Sequence, residues 1–134
     1  MKKVKGFTLV ELLITVAIVA LLAAYAIPNY RQYVVQSKRT EAHNKLLEVA
    51  GMYEKFYANT NRYPTNVSGG GTALSLDNSY LRWEDYQIRH QDRPNGGWRL
   101  QAVALGNQAS DDPDCLRIRF DSLGQRTPAG CWND

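Results

Sequence analysis

The chain has 134 residues, of which 44% are hydrophobic, with 16 basic and 13 acidic side chains and a formal charge of +3. That length leaves room for one modest core and excludes several large domains. The charge is no nucleic-acid signal by itself: Lys2, Lys3 and Lys5 precede the first apolar run, and without them 13 basic side chains face 13 acidic ones.

From Phe7 to Ile27 there are 21 residues and a single charge, Glu11. As a helix this run would be about 31 Å long, enough to cross a bilayer core. The basic residues lie ahead of it, which places residue 1 in the cytoplasm and residues 31–134 across the membrane. An ionised carboxylate in such a span costs on the order of 3 kcal/mol unless it is compensated. Glu11 therefore needs a cation, and Lys5 is six residues back. Cleavage after Gly6 would supply one, because Phe7 would then carry a free α-amino group on this helix or on a neighbouring copy. A secretory signal peptide, with Ala24-Tyr25-Ala26 as its cleavage site, and a plain single-pass anchor are the alternatives. Neither accounts for Gly6-Phe7 and Glu11 together.

The basic leader ending in Gly6, followed by Phe7-Thr8-Leu9-Val10-Glu11-Leu12, resembles the cleavage and assembly signature of type IV pilins and their pseudopilin relatives. The resemblance implies that a prepilin peptidase at the cytoplasmic face cuts between Gly6 and Phe7 and methylates the new terminus, and that inner-membrane assembly machinery is a further partner. It also implies that Glu11 pairs with the terminal amine of an adjacent subunit, and that the apolar helix forms the filament core.

Pro28 lacks a backbone donor, so it bends or loosens the helix without ending it. Val35, Ala42, Leu46, Val49, Tyr53 and Phe56 then form one apolar stripe, interrupted by Arg39, while Glu41 and Lys45 sit at a favourable i, i+4 spacing. One helix is expected from Phe7 to about Ala58. Ser68-Gly69-Gly70-Gly71-Thr72 reads as a loop; no Gly-Lys-Ser/Thr follows to make it a phosphate cradle. Beyond it the period changes to two. Tyr86, Ile88 and His90 alternate with Gln87 and Arg89, and after a turn at residues 93–97, Trp98, Leu100, Ala102 and Ala104 alternate with Arg99, Gln101 and Val103. This is a hairpin. Asp111-Asp112-Pro113-Asp114 is an acidic connection without the glycine and distal glutamate of an EF-hand loop. Leu116, Ile118 and Phe120 make a third strand, and a short fourth is expected around Arg126-Thr127. A helix across an antiparallel sheet is an α+β domain.

Cys115 and Cys131 fall on the translocated, oxidising side, where a disulfide is the expected state. A metal site needs more ligands, and His43 and His90 are distant in sequence. Cys115-Leu116-Arg117-Ile118, Asp121-Ser122-Leu123-Gly124-Gln125-Arg126 and Cys131-Trp132 resemble the C-terminal pattern of PilE-type minor pilins of Gram-negative bacteria. That resemblance implies the pilin fold: a long helix, half in the membrane and half amphipathic, packed on a four-stranded sheet with a disulfide-closed terminal loop. Many major pilins carry a glycine in the membrane half where the helix unwinds; here none lies between Gly6 and Pro28, so unwinding would fall to Pro28.

No nucleophile has a base beside it in sequence, so an enzyme is not expected, and neither a cofactor nor a metal is implied. If Ile88, Leu100, Ile118 and Phe120 face the helix, Arg89, Arg99, Arg117 and Arg119 share the other face of the sheet, where guanidinium groups suit DNA phosphates or anionic polysaccharide. A solvated face, or a contact with the next subunit, is the plainer alternative. The sequence thus reads as a leader (1–6), a transmembrane and filament-core helix (7–30) and a periplasmic domain (31–134). It is expected to anchor in the inner membrane and then join other pilin subunits in a type IV pilus for twitching motility, adhesion or DNA uptake. A type II secretion pseudopilin and a pilus-borne anion-binding module are the alternative readings.

Overall fold

The computed structural model describes residues 6–93 and 97–133. The leader residues 1–5 and the centre of the hairpin turn, 94–96, lie outside the described residues. Two compact units divide between Val34 and Val35.

Helix α1 spans Leu9–Thr60 and passes through Pro28. It begins two residues later than the apolar pattern suggests because Thr8 caps it. The Thr8 hydroxyl oxygen accepts the Glu11 backbone N–H at 3.2 Å, while the Glu11 carboxylate accepts both the Thr8 N–H and its hydroxyl at 2.9 Å. This reciprocal pair is a capping box. The far end stops at Asn61, which takes the left-handed conformation (φ 56°) and donates its N–H to the Tyr57 carbonyl at 2.7 Å. In the first unit every large apolar side chain from Leu9 to Ile27 is exposed, and the segment is long and apolar enough to cross a membrane.

In the second unit, four strands follow the helix: β1 (Tyr86–Asp92), β2 (Trp98–Ala104), β3 (Arg117–Asp121) and β4 (Arg126–Thr127). They pair antiparallel in the order β1-β2-β3-β4. Two short helices, α2 (Asn78–Leu81) and α3 (Gly106–Asp111), fill the connections. The inner face of the sheet presents Tyr86, Ile88, Trp98, Leu100, Ala102 and Ile118 to Ala42, Leu46, Val49, Ala50 and Tyr53 of α1, all of them buried. Burial of each large side chain contributes about 1.5–3 kcal/mol, which is why this stripe and these alternations dominate the fold.

Arg39, which breaks the apolar stripe of α1, is accommodated by an ion pair. Its Nε and Nη2 each donate to Asp112 at 2.5 Å, and Asp112 is only 3% exposed. Gln108 Nε2 adds bonds to Asp112 at 3.3 Å and to the Tyr86 hydroxyl at 3.0 Å. The acidic connection after α3 is therefore drawn onto α1. Cys115 and Cys131 are bonded, with Cα atoms 5.7 Å apart. That bond fixes the C-terminal turn, whose Trp132 stacks on His43 (centroids 4.3 Å apart) while His43 Nε2 bonds the Cys131 carbonyl at 2.9 Å.

Candidate nucleic-acid interface

Directly opposed residues of antiparallel strands project to the same side, so the register fixes the composition of the outer face. One row reads Arg89, Gln101, Arg119, Thr127; the next, Gln87, Val103, Arg117; the third, Gln91, Arg99, Asp121. All four arginines named above therefore lie on the face opposite the core. Rows two residues apart are separated by about 7 Å, and neighbouring strands by about 4.8 Å.

The four are not equivalent. Arg89 is exposed and braced by Gln87, whose amide oxygen accepts its Nε and Nη2 at 3.3 and 2.9 Å. Arg89, Arg117 and Arg119 form no ion pair among the described residues. The Nε of Arg119 is buried and has no hydrogen-bond partner among them. Arg99 differs: its Nη2 lies 3.7 Å from Oδ2 of Asp121, and Arg93, just past β1, brings its Nε to 3.7 Å from the same oxygen. Asp121 is 2% exposed, and its Oδ1 accepts the backbone N–H groups of Leu123 (3.0 Å) and Gln125 (3.1 Å). A carboxylate gripped by its own turn thus holds two of the guanidinium groups, which sequence alternation alone does not reveal. The Asp-Ser-Leu-Gly string was the available signal, since an aspartate before a turn commonly caps it.

The remaining sequence-derived residues lie elsewhere. Gly6, Phe7 and Glu11 are at the start of the first unit, all exposed, and Pro28 is inside α1. Glu11 has a partner that the sequence reading overlooked: the Thr-x-x-Glu spacing that produces the capping box was legible at Thr8. His90 is on the inner face, between the Tyr53 hydroxyl (2.9 Å to Nδ1) and Asp92 (3.1 Å to Nε2). Burial raises the Tyr53 phenol well above its ordinary range, with the Asp92 charge acting in the same direction.

A family model described as "Type IV minor pilin ComP, DNA uptake sequence receptor" matches residues 28–119, and one for the prokaryotic N-terminal methylation motif matches residues 1–27. The chain is 36% identical over 77 residues to the fimbrial protein EcpC of Eikenella corrodens, covering 58% of this chain and 50% of the relative. It is 32% identical over 145 residues to the type IV major pilin protein PilA of Myxococcus xanthus, covering 96% of this chain and 62% of the relative. Thus it spans roughly half to three-fifths of the length of these relatives. Among solved structures, a type IV pilin from Shewanella oneidensis aligns with a TM-score of 0.54 at 28% identity, covering 75% of this chain and 99% of that one. The helix, the four-stranded sheet, the terminal disulfide and these matches agree: the chain belongs to the type IV pilin family, in the group described as type IV minor pilin ComP, DNA uptake sequence receptor.

Proposed function

We propose that this chain is a minor subunit of a type IV pilus that takes up DNA, with the outer face of its sheet as the DNA-binding surface. The carrying observation is the register, which gathers Arg89, Arg117 and Arg119 on the sheet face opposite the core, Arg89 and Arg117 exposed and Arg119 half-buried, without compensating carboxylates among the described residues. These guanidinium groups would meet phosphates, and each phosphate neutralised contributes about −0.9 to the slope of log affinity against log salt. Gln87, Gln91 and Gln101, interleaved with them, offer amide groups suited to base edges. In the test, the full chain in neutral detergent carries Arg117→Glu and Arg119→Glu together. Both residues lie on the sheet face away from the core, and the expected result is loss of duplex DNA retention with a circular-dichroism spectrum that still matches the wild type. Unchanged retention removes the reading.

Membrane anchoring and assembly complete the proposal. A prepilin peptidase cuts between Gly6 and Phe7 and methylates Phe7. The apolar helix of residues 7–30 holds the subunit in the inner membrane, with residues 31–134 in the periplasm. Glu11 then exchanges its bond to Thr8 for the terminal ammonium of a neighbouring subunit as the fibre grows, with Pro28 available as the place where the helix yields. Mass spectrometry of protein from the native host tests the first step: a chain beginning at methylated Phe7 supports it, and one beginning at Met1 or beyond Tyr25 defeats it.

A further inference from the structure

We propose that Asp121 is a positioning residue of the arginine face. It ties down Arg93 and Arg99, so that of the five arginines on this face Arg89, Arg117 and Arg119 are the ones without a carboxylate partner among the described residues, and sequence-independent attraction to DNA is thereby restrained. The proposal rests on the DNA-binding reading of this face and deepens it.

The geometry divides the work of one carboxylate between its two oxygens. Oδ1 is occupied by the N–H groups of Leu123 and Gln125, which fixes the carboxylate plane to the β3–β4 turn. Oδ2 is left facing Arg93 Nε and Arg99 Nη2, both at 3.7 Å. With 2% of its side chain exposed, Asp121 is poorly screened by solvent, and the two arginines are themselves largely covered, at 14% and 29%. Strand pairing puts Arg99 directly opposite Asp121, so the contact is built into the register. A face with five arginines and no acid would hold any polyanion through bulk charge. Neutralising two of them leaves fewer phosphate contacts, and the amide side chains between the rows then weigh more heavily in what is bound.

Asp121→Asn tests this, since the amide retains an oxygen for the two turn N–H groups and loses the charge. With the full chain in neutral detergent and a short fluorescein-labelled duplex of random sequence, the salt slope should steepen by about 1 to 2, as one or both arginines are released. Adding Arg93→Gln and Arg99→Gln to that variant should return the slope to the wild-type value, a reversal that damage to the turn would not produce. Should Asp121→Asn fail to fold, single variants in the wild-type chain decide: Arg99→Gln should change the slope by less than half of what Arg117→Gln does. A folded Asp121→Asn protein with an unchanged slope, or equal effects of Arg99→Gln and Arg117→Gln, overturns the proposal. If the wild-type chain ignores the duplex even at low salt, the DNA reading itself fails. Heparin chromatography then judges the restraint alone: later elution of Asp121→Asn upholds it, and unchanged elution overturns it.

Discussion

Replacing Arg39 with methionine would leave Asp112 buried beside a neutral side chain of similar length. In the native fold Asp112 receives two bonds from Arg39 at 2.5 Å and one from Gln108 at 3.3 Å, and its side chain is 4% exposed. Removing one partner of a buried pair typically costs about 3–5 kcal/mol, because the other charge stays desolvated without compensation. Arg39 is itself 17% exposed, so water can reach the gap and the lower end applies, about 3 kcal/mol. For a domain near 100 residues that is a fall in Tm on the order of 12 °C or more. Replacing both partners, Arg39→Met with Asp112→Leu, exchanges the pair for apolar packing and should recover stability to within about 1 kcal/mol of wild type. Urea titration in detergent reads the effect through Trp83, Trp98 and Trp132, which all pack on or within the core of the second unit. A single substitution costing less than about 1 kcal/mol, or a double as damaging as the single, would refute this reasoning.

Leu46→Ala, at 0% exposure under the sheet, should lower stability by about 2–5 kcal/mol in the same titration. Gly97→Ala should cost more than about 1 kcal/mol: its φ is +83°, and the added Cβ would fall 2.2 Å from Ser122 Oγ. Ser122→Gly should relieve only the clash and leave the backbone cost. Alkaline pH should also destabilise the fold. Burial is the main cause that pushes the Tyr86 hydroxyl up to about 12 from its ordinary 10.0, so the folded state prefers the neutral phenol. That contribution is intact below pH 10 and fades as pH rises towards 12; Tyr86→Phe should flatten the decline in Tm across this window. Finally, Glu11→Ala should leave membrane insertion intact and keep the subunit out of sheared fibres; fibres with normal amounts of the variant would contradict the assembly proposal.

Sequence periodicity carried most of this architecture because the core is built from it. The stripe Ala42, Leu46, Val49, Tyr53 and the alternations at Ile88, Leu100 and Ile118 are the residues that meet in the centre. What periodicity could not reveal were the polar contacts made by exceptions to it. Arg39 looks like a flaw in an amphipathic helix until Asp112, 73 residues later, is found beside it. The arginine face was visible as a pattern, since a strand's alternation determines facing. Its division into free and tethered members was not, because that depends on Arg93 and Arg99 reaching a turn acid across the pairing register. The short helices Asn78–Leu81 and Gly106–Asp111 escaped notice for another reason: at 4 and 6 residues they are too brief to show any period.

The hydrogen-bonded start of the long helix bears on how such a subunit would be stored. Because Thr8 already satisfies the Glu11 carboxylate locally, a solitary copy need not search at once for a counterion. Recruitment would then have to break both bonds before Glu11 could meet a neighbouring ammonium, so the Thr8 hydroxyl would oppose docking by its share of that cost.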